Sequence, residues 1–165
     1  MRNLTSFKKT IIIICMIALF LLLVAFTTIN KGIHYCKTNY VKNTHGTYFI
    51  INSIDEFYSY YDEYKDTFRF DRKESDEDTG RISLASVIEI YDDKFFEDKQ
   101  IVIFVISCNV ENSTYTLIDK EIKDGKLTVT LIENRPFFPN MLLAGYHVVL
   151  EVEKDEINDF ELKIK

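Results

Sequence analysis

The chain has 165 residues, 47% of them hydrophobic, with 26 acidic against 20 basic side chains and a formal net charge of −6. Nucleic acid is excluded as a natural partner, because an acidic surface repels phosphates. Only three cysteines are present and no C-x-x-C spacing occurs, so a cysteine-built metal centre is excluded as well.

Thr10 to Ile29, TIIIICMIALFLLLVAFTTI, contains no charged residue, no Gly and no Pro. An α-helix rises about 1.5 Å per residue, so roughly twenty apolar residues cover the ~30 Å hydrocarbon core of a bilayer. Residues 10–29 are therefore expected to be a single transmembrane helix whose partner is the lipid bilayer. Arg2, Lys8 and Lys9 precede it without an acid, which places the stub 1–9 in the cytoplasm and everything after the span outside, in the cell-membrane topology of a signal-anchor. A cleaved signal peptide is the competing reading. Its apolar region would be shorter and would end in small residues, whereas this one ends Val24-Ala25-Phe26-Thr27-Thr28-Ile29. A lipoprotein is disfavoured because bulky Ile33, His34 and Tyr35 precede Cys36. With three basic residues before the span, 17 remain against all 26 acids, so the exported part carries −9.

Cys15 lies in the span, which leaves Cys36 and Cys108 as the one pair that an oxidising compartment could join. Residues 30–46 are polar, with Gly32 and Gly46, and are expected to be a tether; 47–165 then form one extracytoplasmic domain. His34 and His45 are eleven apart without nearby ligand partners and read as solvated rather than metal-binding. Thr47 to Ile51, TYFII, is β-branched and aromatic and predicts a short strand. Ser53 followed by Glu56 is a capping box that starts a helix, with Ile54, Phe57, Tyr58, Tyr61 and Tyr64 on its apolar face. That tyrosine stripe could face a partner, but packing against a sheet is the default for an amphipathic face.

Asp71 to Gly80, DRKESDEDTG, is a solvated loop. Asp76, Asp78 and Gly80 imitate part of a calcium loop, but counted from Asp76 the Gly falls at five rather than six and position twelve is Val87. Leu84, Val87, Ile88 and Tyr91 predict a second helix, and Asp92 to Lys99 a helical turn presenting Phe95 and Phe96 to the core.

Ile101 to Ser107, IVIFVIS, is a continuous apolar run too short for a good helix and predicts a strand buried on both faces. Asp124-Gly125 joins Thr114–Ile122 to Lys126–Asn134 as a two-residue hairpin. The implied register pairs Ile122 with Leu127, Lys120 with Val129, Ile118 with Leu131 and Leu117 with Ile132. Pro136 and Pro139 interrupt the ladder, so Arg135 to Gly145 is a connection carrying Phe137, Phe138, Met141, Leu142 and Leu143. Folded back, these cap one end of the core, the default for such residues. Exposed, Phe137, Phe138, Met141 and Leu142 form a patch that needs a partner. Tyr146–Val152 and Phe160–Ile164 complete an α+β domain: a mainly antiparallel sheet with one or two helices upstream.

The succession FFEDKQIVIFVIS, a short polar loop, TYTLIDKEIKDGKLTVTLIENRP, a Pro-bounded loop and GYHVVLEVEK, about residues 95–154, resembles the C-terminal domain of the PrcB-type protease-complex subunits and related small exported bacterial proteins. The resemblance lies in strand order, with a Tyr and His pair, here Tyr146 and His147, near the last strand. In place of that family's glycine-rich turn stands Glu111-Asn112-Ser113-Thr114-Tyr115. The resemblance implies a non-catalytic role in binding and stabilising another exported protein.

No G-x-S-x-G, H-E-x-x-H, phosphate-binding glycine loop or dinucleotide motif is present. Cys108 and His147 are the one thiol and imidazole pair a hydrolase could use, and a packed Cys beside a structural His is the default. No catalytic residue, cofactor or metal is therefore expected. The expected function is an anchored protein-interaction module; an exported hydrolase or a small-ligand-binding domain is the alternative.

Overall fold

The computed structural model describes residues 16, 32–70, 82–110, 113–138, 141–154 and 157–165. The elements are β1 (Ile33–Thr38), β2 (Tyr48–Ile51), α1 (Ile54–Phe68), α2 (Leu84–Ile88), α3 (Phe95–Asp98), β3 (Lys99–Cys108), β4 (Thr114–Lys123), β5 (Lys126–Asn134), β6 (Ala144–Glu153) and β7 (Asp159–Ile164). The chain divides into two units, Met1–Lys31 and Gly32–Lys165. The expected anchor and the acidic stretch with its calcium-like spacing lie outside the described residues, Met16 excepted. Among the described residues no helix is long and apolar enough to cross a membrane.

The expected α+β class holds for the Gly32–Lys165 unit, built as two sheets rather than one. Four antiparallel strands in the order β1-β6-β3-β2 form the first, and β4-β5-β7 form the second. Ile101 to Ile106 are all buried, as a strand covered on both faces must be. One face contributes Val102, Phe104, Ile106, Tyr146 and Val148 to a core shared with Leu117, Leu127, Val129 and Leu131 of the second sheet. The other contributes Ile101, Ile103 and Val149 to a core closed by Phe57, Tyr60 and Phe68 of α1 and by α2 and Phe96. The result is three layers: helices, first sheet, second sheet.

Residues 33–38, expected within a tether, are a strand. Backbone pairing with β6 sets Ile33 opposite Leu150 and Thr38 opposite Gly145. Alternation explains it: Ile33 and Tyr35 pack towards the second sheet, while Cys36 is fully buried on the helix side. Gly145 permits the close approach, since a Cβ there would lie 2.5 Å from the Asn39 carbonyl oxygen.

The capping box at the start of α1 forms as expected. The Ser53 hydroxyl accepts from the Glu56 N–H at 3.1 Å, and the Glu56 carboxylate accepts from the Asn52 N–H at 2.7 Å. The buried stripe is Phe57, Tyr60 and Phe68, with Ile54, Tyr61 and Tyr64 beside it, so Tyr58 is corrected to the solvent side. α1 ends at Arg69, which adopts left-handed φ 52°, ψ 60°. That conformation is unusual for a residue with a Cβ. It turns Phe70 back so that its ring stacks on Phe68 at 5.7 Å, both buried.

The Asp124-Gly125 turn has positive φ at both residues, 51° and 75°, as a hairpin loop of two residues demands. Ile122 pairs with Leu127 and Lys120 with Val129 as expected, but Leu117, not Ile118, pairs with Leu131 because a β-bulge interrupts β4 between Leu117 and Asp119. The sequence demands this: Lys120 and Ile122 lie on one phase of the alternation, Tyr115 and Leu117 on the other. The extra residue lets Leu117, 2% exposed, share the core face of Leu127, and leaves Ile118 41% exposed. The last strand, β7, pairs parallel to β5 in an otherwise antiparallel architecture.

Deleting Ile118, the one unpaired residue of the bulge, should restore a regular ladder that keeps Leu117 opposite Leu131 and Tyr115 on the core face. Urea unfolding of the Gly32–Lys165 unit should then show a small loss, well below that of Leu117→Ala, which empties the core position the bulge serves and should cost about 2–5 kcal/mol. Equal effects of the two changes would refute the bulge as the device that sets the register.

Candidate functional site

Cys108 and His147 do not meet. The register sets Cys108 opposite Ala144 and His147 opposite Val105. Cys108 belongs to the core between the sheets, and its Sγ–H donates to the Val110 carbonyl at 3.2 Å. His147 projects from the other face, its ring edge-on to Phe68 and Phe70 with centroids 4.4 and 4.8 Å away. Side chains on opposite faces of a sheet cannot exchange a proton, so this hydrolase assignment is withdrawn. Nor do Cys36 and Cys108 form a disulfide: both are free, and they belong to different cores.

The thiol that does lie beside His147 is Cys36, its cross-strand neighbour. Thr38 Oγ1 lies 3.1 Å from His147 Nδ1, while Nε2 and the nearby Tyr60 hydroxyl are buried without hydrogen-bond partners. Desolvation pushes the Cys36 thiol far above its ordinary range and lowers His147 to about 3. Both shifts oppose the thiolate and imidazolium pair of a cysteine nucleophile. Cys36 and His147 are packing residues. Of the other histidines, His34 is half-buried against the Tyr91 ring, and His45 Nδ1 accepts from the Ser107 N–H at 3.1 Å, so neither is simply solvated. Among the described residues no group of three potential ligands could hold a metal ion.

Burial of neutral His147 has a pH consequence. Its folded pKa lies below the ordinary 6.5, so the unfolded chain takes up the proton first as pH falls. The stabilisation is complete above pH ~6.5 and declines towards ~3. Between pH 6.5 and 5 the wild type should lose up to about 1.4 kcal/mol per pH unit more than His147→Gln in urea unfolding. Identical pH slopes would contradict a neutral, buried imidazole.

The second candidate site is the β5–β6 connection. Phe137, Phe138, Met141, Leu142 and Leu143 are 91%, 85%, 71%, 52% and 57% exposed. The expectation that they fold back over the core is corrected. The inter-sheet core is filled without them, by residues that include Tyr115 and Tyr146, both buried, whose rings meet edge-to-face at 5.7 Å. Phe137 and Phe138 touch each other instead, centroids 4.8 Å apart and nearly perpendicular.

The base of the loop is fixed by polar contacts. Arg135 donates through Nε and Nη2 to Glu133 Oε2 at 3.0 and 2.9 Å, and Ser113 Oγ donates to Oε1 at 2.8 Å. Although burial opposes ionisation, these contacts hold the Glu133 carboxyl below its ordinary range. Beside the loop lies a cleft of about 250 Å³ lined by Ser107, Cys108, Asn109, Val110, Tyr115, Glu133, Arg135, Met141 and Ile164. Sequence reasoning named the loop's apolar residues but missed the cleft, whose walls come from five separate segments. No protein-family model, curated protein or solved structure matches the chain.

Proposed function

We propose that the chain is a single-pass, membrane-anchored extracytoplasmic domain that binds another envelope protein through the loop from Phe137 to Leu143 and performs no catalysis. The observation that carries this reading is the exposure of five large apolar side chains on one connection whose base is held by the Glu133–Arg135 pair. Full burial of one such side chain is worth roughly 1.5–3 kcal/mol. A patch of this kind on a charged domain is a surface for association. Two large aromatic side chains at its tip are the residue type that anchors protein interfaces. The anchor reading is supported by the uncharged run from Thr10 to Ile29 and the basic stub before it. A non-catalytic role accords with the separation of Cys108 from His147 and with the inert setting of Cys36.

The test is a pull-down with tagged full-length chain from detergent-solubilised envelope, beside a Phe137→Asp/Phe138→Asp control whose circular dichroism matches wild type. The proposal expects a saturable partner that is reduced at least tenfold in the control. Equal capture by both chains would remove the loop as the docking element.

A further inference from the structure

We propose that the partner of the apolar loop is a second copy of this chain, the Phe137–Phe138 tip of each copy seated in the cleft of the other. This rests on the loop being a docking element. A twofold contact between identical chains needs a patch that is complementary to itself, with knob and hollow side by side. Here they are adjacent: Met141 of the loop is also a wall of the cleft, with Asn109, Val110, Tyr115 and Ile164. The cleft, at about 250 Å³, exceeds the ~150 Å³ that accommodates one benzene ring, so it receives one ring of the tip while the other packs at its rim.

Area and charge favour the same occupant. Each nearly fully exposed Phe offers roughly 150 Å² or more. With Met141, Leu142 and Leu143 the loop alone supplies on the order of 600 Å², close to the ~800 Å² per partner of a stable interface. Between Arg135 and Glu151 there is no acidic, Lys or Arg residue. The charged pair at the base, Glu133–Arg135, is internally neutralised. Two copies, each with a net charge of −9 on the exported part, can therefore meet here without setting like charges face to face in the contact, and salt screens the repulsion that remains. The same neutrality offers no electrostatic attraction to an anionic bilayer. Copies anchored through the same segment also carry their loops at the same distance from Gly32, whose carbonyl accepts from the Glu151 N–H at one end of β6, about 23 Å along the strand from Ala144.

The chain contains no tryptophan, so Phe137→Trp is a single emission reporter at the loop tip. The full-length reporter chain is placed in phosphatidylcholine vesicles at rising protein-to-lipid ratio, and its mass in detergent micelles is measured by light scattering. A dimer mass, with emission moving to the blue as protein density rises, supports the second copy. Adding Asn109→Arg in the cleft, or Phe138→Asp at the tip, should abolish both signals. Blue emission already at the lowest ratio, with a monomer mass, would overturn the proposal in favour of lipid. Water-exposed emission and a monomer mass at every ratio would also overturn it. In that case a partner still captured in a loop-dependent way from envelope would leave the docking reading standing with a different protein.

Discussion

Strands β3 and β6 pair along their whole length, from Lys99 opposite Glu153 to Cys108 opposite Ala144, and both are apolar on both faces. Such a pair cannot face water on either side, so the rest of the Gly32–Lys165 unit exists to cover it twice. The second sheet covers one side through Leu117, Leu127, Val129 and Leu131, and α1 and α2 cover the other through Phe57, Tyr60, Leu84 and Val87. The edges are closed by β1 on β6 and β2 on β3.

Among the described residues the helical side of the first sheet buries the polar side chains of His147 and Thr38. His147 follows Tyr146 on β6 and points away from the second sheet, into the rings of Phe68 and Phe70. The left-handed turn at Arg69 brings those two rings together, so local backbone strain and aromatic packing around the imidazole belong to one arrangement. Thr38 reaches His147 from β1 at 3.1 Å, tying the first strand of the unit to its centre. His147, a residue type common in catalysis, is here packed among aromatic rings.

Much of this was legible in the chain because the signals are local. Ser53 with Glu56, the apolar run from Ile101, and Asp124-Gly125 each specify backbone geometry within a few residues, and each forms where expected. What escaped the reading depends on partners distant in sequence. Ile33–Thr38 is too polar to announce a strand until β6 lies beside it, and β7 finds β5 in parallel only through the completed sheet. The bulge did leave a trace, the change of apolar phase between Leu117 and Ile118, and Tyr60 was hidden because Tyr58 fits the same helical period almost as well. For the candidate site, Phe137, Phe138, Met141 and Leu142 were legible as a patch. Their exposure was not, because it depends on the inter-sheet core being filled by residues from strands distant in sequence.

The loop is surplus to the fold: the two cores contain none of its side chains, which stand exposed. Urea unfolding of the Gly32–Lys165 unit with and without Phe137→Asp/Phe138→Asp tests this most directly. An unfolding free energy unchanged within about 0.5 kcal/mol is the predicted result, as for substitutions that touch no core contact. A loss of about 3 kcal/mol or more, the range for removing buried aromatic side chains, would make the loop part of the core and contradict the account.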